Sequence, residues 1–221
     1  MERIAIFGGT FDPVHWGHLR IAEAALSQLE LEKVIWVPVH RPPHKSGQCY
    51  QHRRLMVEIA IAQNPAFVLD PRKTNQTEPD YAIDTLTDLQ DAYPNYQWFW
   101  IVGLDAFQTL PRWYSRERLI PVCEWLVAPR LLPMTSANAV VSTRIGPSQK
   151  IAPQASWLCQ QVAEQLSSQD IPIRWQMLHM PPVSISSSLI RQSCSQGHSI
   201  REWVPEGVRA YITTHNLYLQ I

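Results

Sequence analysis

Five short apolar runs, separated by longer amphipathic stretches, constrain this chain more than any other feature. IAIF (4–7), VIWV (34–37), FVL (67–69), WFWIV (98–102) and WLVA (125–128) show almost no polar alternation. They read as strands buried on both faces. Between them, HLRIAEAALSQLE (18–30) puts Leu19, Ala22, Ala25, Leu26 and Leu29 on one helical stripe. RRLMVEIAIA (53–62) does the same with Leu55, Ile59 and Ala62, and YAIDTLTDLQDAY (81–93) with Ile83, Leu86 and Leu89. Repeated strand–helix–strand units imply a parallel sheet with right-handed crossovers. The expected fold is therefore α/β, a Rossmann-like doubly wound parallel sheet. The last third changes character. SWLCQQVAEQLSS (156–168), ISSSLIRQSCSQG (185–197) and PEGVRAYITTH (205–215) read as helices, and IRWQMLH (173–179) as a further strand. The middle one of these helices should end at Gly197. No clean linker interrupts the chain, so one domain with a helical C-terminal part is expected over residues 1–221.

Composition narrows the chemistry. Lys plus Arg and Asp plus Glu number 19 each, so no global charge points to nucleic acid or an anionic membrane. Any phosphate chemistry has to rest on local cations. The apolar run WFWIVGL (98–104) falls far short of the roughly 20 residues of a membrane-spanning helix. MERIAIFGG, with an apolar run of only four residues before its glycines, does not read as a signal peptide. Cys49, Cys123, Cys159 and Cys194 lack the close spacing of a zinc knuckle, and reduced, mostly buried thiols in a cytoplasmic protein are expected. No metal ligand set is apparent.

The stretch GGTFDPVHWGH (8–18) carries the strongest local signal. IAIF ends a strand, Gly8-Gly9-Thr10 turns, and a helix opens near Gly17. In a doubly wound sheet the first strand-to-helix loop lies where ligands bind. Glycines let backbone N–H groups approach an anion, and the helix N-terminus adds partial positive charge. The spacing is neither GxGxxG nor GxxxxGK[ST], so the usual dinucleotide and P-loop readings fail. His15 and His18 stand at i, i+3 across the helix start and can face one point. Imidazoles there can donate to phosphate oxygens that gain charge in a transition state.

Two more segments offer phosphate-binding groups. VPVHRPPHKSG (37–47) brings His40, Arg41, His44 and Lys45 to the end of the second strand, with Lys45 a mobile point charge. From the residues alone, an exposed basic loop reads equally well. ISSSLIRQ (185–192) sets serines at a helix start, with Arg191 in its second turn able to clamp two oxygens. An ordinary N-cap run with a solvated arginine is the alternative.

GGTFDPVHWGHL resembles the signature of HxGH nucleotidyltransferases, and within them the bacterial nicotinate mononucleotide adenylyltransferase family. The resemblance extends in order along the chain. It implies a single nucleotidyltransferase domain in which His15 and His18 contact ATP phosphates, and Gly8, Gly9, Thr10 and Phe11 meet the nucleotides. The PPHK-like segment places His44 and Lys45 near phosphates. ISSSLIR resembles the ISSTxIR motif that grips ATP, through Ser186, Ser187 and Arg191, with Ser188 where Thr is usual. DYAIDTL (80–86) resembles SYTxDTL, and Thr85 is carried over for a contact to the pyridine substituent. IVGLDAFQTLPRWY (101–114) resembles the GxD…W block: Gly103 beside ATP, Asp105 accepting from ribose hydroxyls, Trp113 stacking on the pyridine ring. Arg130 stands where the family often has Arg-Pro-Gly, but the Pro-Gly is missing here. VPEGVRAYITTHNLY (204–218) resembles a C-terminal helix with a structural role.

The activity so implied is adenylyl transfer from ATP to nicotinate mononucleotide, giving deamido-NAD and pyrophosphate in NAD biosynthesis. His15, His18, Lys45 and Arg191 are the implied catalytic residues. Mg²⁺ would be carried by ATP oxygens and water. The partners are small molecules, with no nucleic acid or membrane, and a homo-oligomer is compatible with the sequence. Three other readings stay open: the amide mononucleotide as acceptor, phosphopantetheine as acceptor, and a non-catalytic nucleotide-binding module on the same fold. The pyridine-type DTL and GxD…W blocks count against phosphopantetheine. A class I aminoacyl-tRNA synthetase is disfavoured by the absence of a KMSKS-like segment, and no Nudix signature is present.

Overall fold

The computed structural model describes residues 2–40, 47–71, 81–129, 147–181 and 183–219. His44, Lys45 and Arg130 lie outside them. Six strands form one parallel sheet: β1 (Arg3–Gly9), β2 (Lys33–Pro38), β3 (Phe67–Leu69), β4 (Gln97–Gly103), β5 (Glu124–Ala128) and β6 (Arg174–Met177). Their order across the sheet is β3-β2-β1-β4-β5-β6. The five apolar runs are all strands, and the sixth strand lies within the stretch 173–179.

Period-two alternation sends successive residues to opposite faces, and both faces are buried. Ala5, Phe7, Val34 and Trp36 pack on one side, against α1 (Trp16–Gln28), α2 (Tyr50–Ile61), α7 (Ser187–Ser195) and α8 (Glu206–Thr214). Ile4, Ile6, Ile35 and Trp100 pack on the other, against α3 (Ala82–Ala92), the short α4 (Leu104–Phe107) and α5 (Arg116–Leu119), and α6 (Pro147–Ser167). Each fully buried Ile or Phe of this kind contributes about 1.5–3 kcal/mol. The helical C-terminal part is thus no appendage: α7 and α8 complete the layer begun by α1 and α2. Gly197 adopts φ +71 just past α7, where His198 N–H donates to Ser193 O at 2.8 Å and closes the helix end.

The expected stripe of α2 is corrected. Leu55 is 40% exposed and Ala62 is exposed, whereas Arg53, Met56, Val57 and Ile61 face inward. A stripe chosen for apolar content alone skipped the one that contains an arginine. The stripes of α1 and α3 lie as expected, with Leu19, Ala22, Ala25, Ile83, Leu86 and Leu89 buried. Cys123, Cys159 and Cys194 are buried free thiols and Cys49 is exposed. Burial pushes the Cys123 and Cys159 thiols up to about 12, so neither is a nucleophile near neutral pH. Among the described residues no helix is long and apolar enough to cross a membrane.

Candidate active site

The chain reverses its direction of winding between β1 and β4, and the carboxyl ends of these strands open onto two cavities. The first, about 240 Å³, is lined by Gly8, Gly9, Thr10, Phe11, His15 and His18 from the β1–α1 segment. Gly103 from β4 and Ser186, Ser187, Ser188 and Arg191 from α7 complete its polar wall. The second, about 340 Å³, shares Gly8, Gly9 and Thr10 and continues to Thr85, Trp100, Trp113, Tyr81 and Tyr114. One end is therefore polar and cationic, the other aromatic, and the glycine turn lies between them.

His15 is the N-cap of α1, in extended backbone with φ −149 and ψ 169, and is 4% exposed. Its ring stacks on that of His18 at 3.7 Å between centroids. The His15 backbone N–H donates to His18 Nδ1 at 3.2 Å. Because Nδ1 accepts, the ring proton of His18 is on Nε2, which becomes a hydrogen-bond donor. Gly17 is required by close packing. A Cβ there would lie 2.4 Å from Val183 Cγ1 and 2.9 Å from the His15 ring. Gly17→Ala should lower stability by about 1–3 kcal/mol, read as a lower urea midpoint at constant slope. An unchanged midpoint would mean that Val183 and His15 yield freely.

The N-terminus of α7 faces the same cavity. Ser186 caps it, accepting from Leu189 N–H at 3.2 Å, and Ser187 Oγ donates to Pro13 O at 2.9 Å. Arg191 donates to Asp12 O at 2.8 Å and to Ser188 Oγ at 3.2 Å, leaving the rest of its five-donor fork available. Two helix N-termini and a guanidinium thus converge on one volume, an arrangement suited to a polyanion.

In the aromatic cavity, Trp113 Nε1 donates to Thr109 Oγ1 at 2.9 Å, so the indole N–H is already satisfied. Tyr81 and Tyr114 face each other with centroids 4.3 Å apart. Thr85 is 7% exposed, and its hydroxyl donates to Tyr81 O at 3.3 Å. Asp105 is exposed on α4 and lines neither cavity, although Gly103 and Ala106 beside it do.

Three residues that local sequence patterns did not single out hold the site together. Arg53, 2% exposed, donates to Thr10 O at 2.7 Å, Gln48 O at 3.0 Å and His40 O at 3.1 Å. Burial lowers its pKa from the usual arginine value, and the Asp12 carboxylate offsets part of that effect. Asp12, 3% exposed, accepts from Tyr218 OH at 2.6 Å and Gln48 N–H at 3.3 Å. Burial first, and then Asp12, push the Tyr218 phenol far above its usual range, so it stays a donor. The C-terminal stretch thus reaches Asp12, on the wall of the polar cavity, through Tyr218.

Known proteins share this architecture. Residues 6–193 match the family model described as cytidylyltransferase-like. A probable nicotinate-nucleotide adenylyltransferase of Trichormus variabilis is 51% identical over 218 residues, covering 99% of this chain and 98% of that one. One from a Synechococcus species is 41% identical over 222 residues, covering 99% and 98%. A solved nicotinic acid mononucleotide adenylyltransferase of Plasmodium falciparum, complexed with NaAD, superposes with a TM-score of 0.71 at 19% identity, covering 99% and 98%.

Proposed function

Because this chain belongs to the cytidylyltransferase-like family, with nicotinate-nucleotide adenylyltransferases as relatives up to 51% identical over its whole length, we propose that it transfers the adenylyl group of ATP to nicotinate mononucleotide. The products are deamido-NAD and pyrophosphate, a step of NAD biosynthesis. One observation carries the reading. A polar cavity with two histidines, a capped helix and Arg191 meets an aromatic cavity across Gly8-Gly9-Thr10, so both nucleotides reach a common point.

In the proposed reaction, a 5′-phosphate oxygen of the mononucleotide attacks the α-phosphorus of ATP in line. The new P–O bond forms as the bond to the β-phosphate bridge breaks, and the electron pair leaves with pyrophosphate. A phosphate monoester, with second pKa about 6, is already a dianion near neutral pH and needs no general base. The work left to the chain is positioning and charge stabilisation. His15 and His18 stabilise the reacting phosphates, with Nε2–H of His18 a donor. Ser186, Ser187, the α7 N-terminus and Arg191 hold the β- and γ-phosphates, with Lys45 and His44 assigned to the same phosphates by resemblance. Thr85 and Trp113 receive the pyridine ring. Asp105 stays assigned to a ribose, and Arg130 to the acceptor.

Mg²⁺ enters as part of the substrate, MgATP. Among the described residues no group of three or more His, Cys, Asp or Glu could hold a metal ion. Asp12, the one carboxylate among the described residues that line the first cavity, has both oxygens engaged by Tyr218 and Gln48. A cytoplasmic location fits the free thiols and the small polar substrates.

A coupled assay of deamido-NAD and NAD formation tests the acceptor. The acid mononucleotide should exceed the amide at least tenfold in kcat/KM, a difference of about 1.4 kcal/mol. A preference for the amide would reverse the assignment, and absence of pyrophosphate release with either would leave a binding module.

A further inference from the structure

We propose that Tyr218 is a positioning residue for adenylyl transfer, acting through Asp12 on the glycine loop and the HxGH histidines. The inference rests on the adenylyltransferase reading above. The segment Thr10–Asp12 is held from parts of the chain far away in sequence. Arg53 takes Thr10 O, and also His40 O and Gln48 O, the backbone on either side of residues 41–46. Asp12 O accepts from Arg191, and the two Asp12 carboxylate oxygens accept from Gln48 N–H and Tyr218 OH. The last bond spans 206 positions and is the shortest of the set at 2.6 Å.

What Tyr218 fixes is transmitted by packing. Phe11 stands between Thr10 and Asp12 with φ 49, a left-handed conformation that a phenylalanine keeps only where its surroundings over-determine it. Its ring is 2% exposed and meets the His18 ring edge-on at 5.0 Å between centroids. Gly9 is packed under the same ring, where a Cβ would lie 2.9 Å from Phe11 Cζ. A shift of Asp12 is therefore passed to its neighbour Phe11, whose ring packs against both His18 and Gly9.

The far end of the strut is equally well anchored. Leu217 is 5% exposed, and its N–H donates to Ile212 O at 3.0 Å, folding the chain back after α8. Tyr218 follows with φ 65 and delivers its hydroxyl to Asp12. Gly47 allows the approach from the other side, since a Cβ there would lie 2.2 Å from Asp12 Oδ2. The carboxylate of Asp12 also acts on Arg53, so one phenol hydroxyl helps to orient the charge that opposes a buried guanidinium.

Tyr218→Phe removes one oxygen and keeps the ring. It should lower kcat about tenfold while KM for ATP and for nicotinate mononucleotide each stay within threefold. Asp12→Asn should lower kcat at least as far. The double variant should be no worse than Asp12→Asn alone, within twofold, because the tyrosine acts only through that carboxylate. Thermal unfolding of all three is followed alongside. A wild type that turns over with a Tyr218→Phe kcat within twofold of it overturns this inference alone. So does a double variant whose losses multiply, or a loss confined to melting temperature. A wild type that releases no pyrophosphate overturns the adenylyltransferase reading, and this inference with it.

Discussion

His18→Ala should fold and lose at least a hundredfold in kcat/KM. That loss is about 2.7 kcal/mol of transition-state stabilisation, the range seen when one preorganised donor to a developing oxyanion is removed. The two ring nitrogens of His18 have separable duties, which makes the result interpretable. Nδ1 accepts the His15 backbone N–H at 3.2 Å and so helps to cap α1. Nε2–H is the donor assigned to the phosphates in the proposed reaction. Losing the cap should cost about 0.5–2 kcal/mol of stability, and losing the donor should cost rate. His18→Asn can return an acceptor near the Nδ1 position but has no donor at Nε2. It should recover melting temperature and not kcat. His18→Gln reaches the Nε2 position with an amide N–H and should recover part of kcat and not the cap. Activity of the alanine variant within threefold of wild type would remove His18 from the chemistry.

Much of this fold was legible because burial on both sheet faces leaves a continuous apolar signature. IAIF and VIWV alternate Ala5, Phe7, Val34 and Trp36 to one face and Ile4, Ile6 and Ile35 to the other. The glycine turn was legible because position in the fold and residue type pointed the same way. What failed on α2 is instructive. The inward stripe of that helix runs through Arg53, Met56, Val57 and Ile61, and Arg53 looks like a surface residue until its three carbonyl partners are seen. An arginine in line with three apolar residues at helical spacing was the available signal. Asp12 and Tyr218 left no such trace, because their bond joins positions 206 apart and neither breaks a local pattern. The Tyr81–Tyr114 pair was hidden for the same reason: it forms only when α3 and the turn after α4 meet at the cavity. Asp105 shows the reverse case, a residue with a motif position whose side chain lies outside both cavities.

Arg191→Ala should weaken ATP far more than nicotinate mononucleotide. Arg191 is the one Lys or Arg among the described residues that line the polar cavity, and it sits in the second turn of the helix whose capped N-terminus faces the same space. A guanidinium on phosphate forms charge-assisted, often bidentate bonds worth about 1.5–3 kcal/mol, and the first turn of α7 adds to the same attraction. The expected result is a fall of roughly ten- to a hundredfold in kcat/KM for ATP, with KM for the mononucleotide within threefold. Arg191→Lys keeps the charge but not the planar fork and should recover only part of the loss. Pyrophosphate inhibition supplies an independent check. If Arg191 holds the β- and γ-phosphates, the inhibition constant for pyrophosphate should rise by the same factor as KM for ATP, since those groups leave together. The competing possibility is that Arg191 serves chiefly to hold Asp12 O, to which it donates at 2.8 Å. In that case Arg191→Ala would behave like Tyr218→Phe: kcat would fall, both KM values would stay within threefold, and pyrophosphate inhibition would stay unchanged.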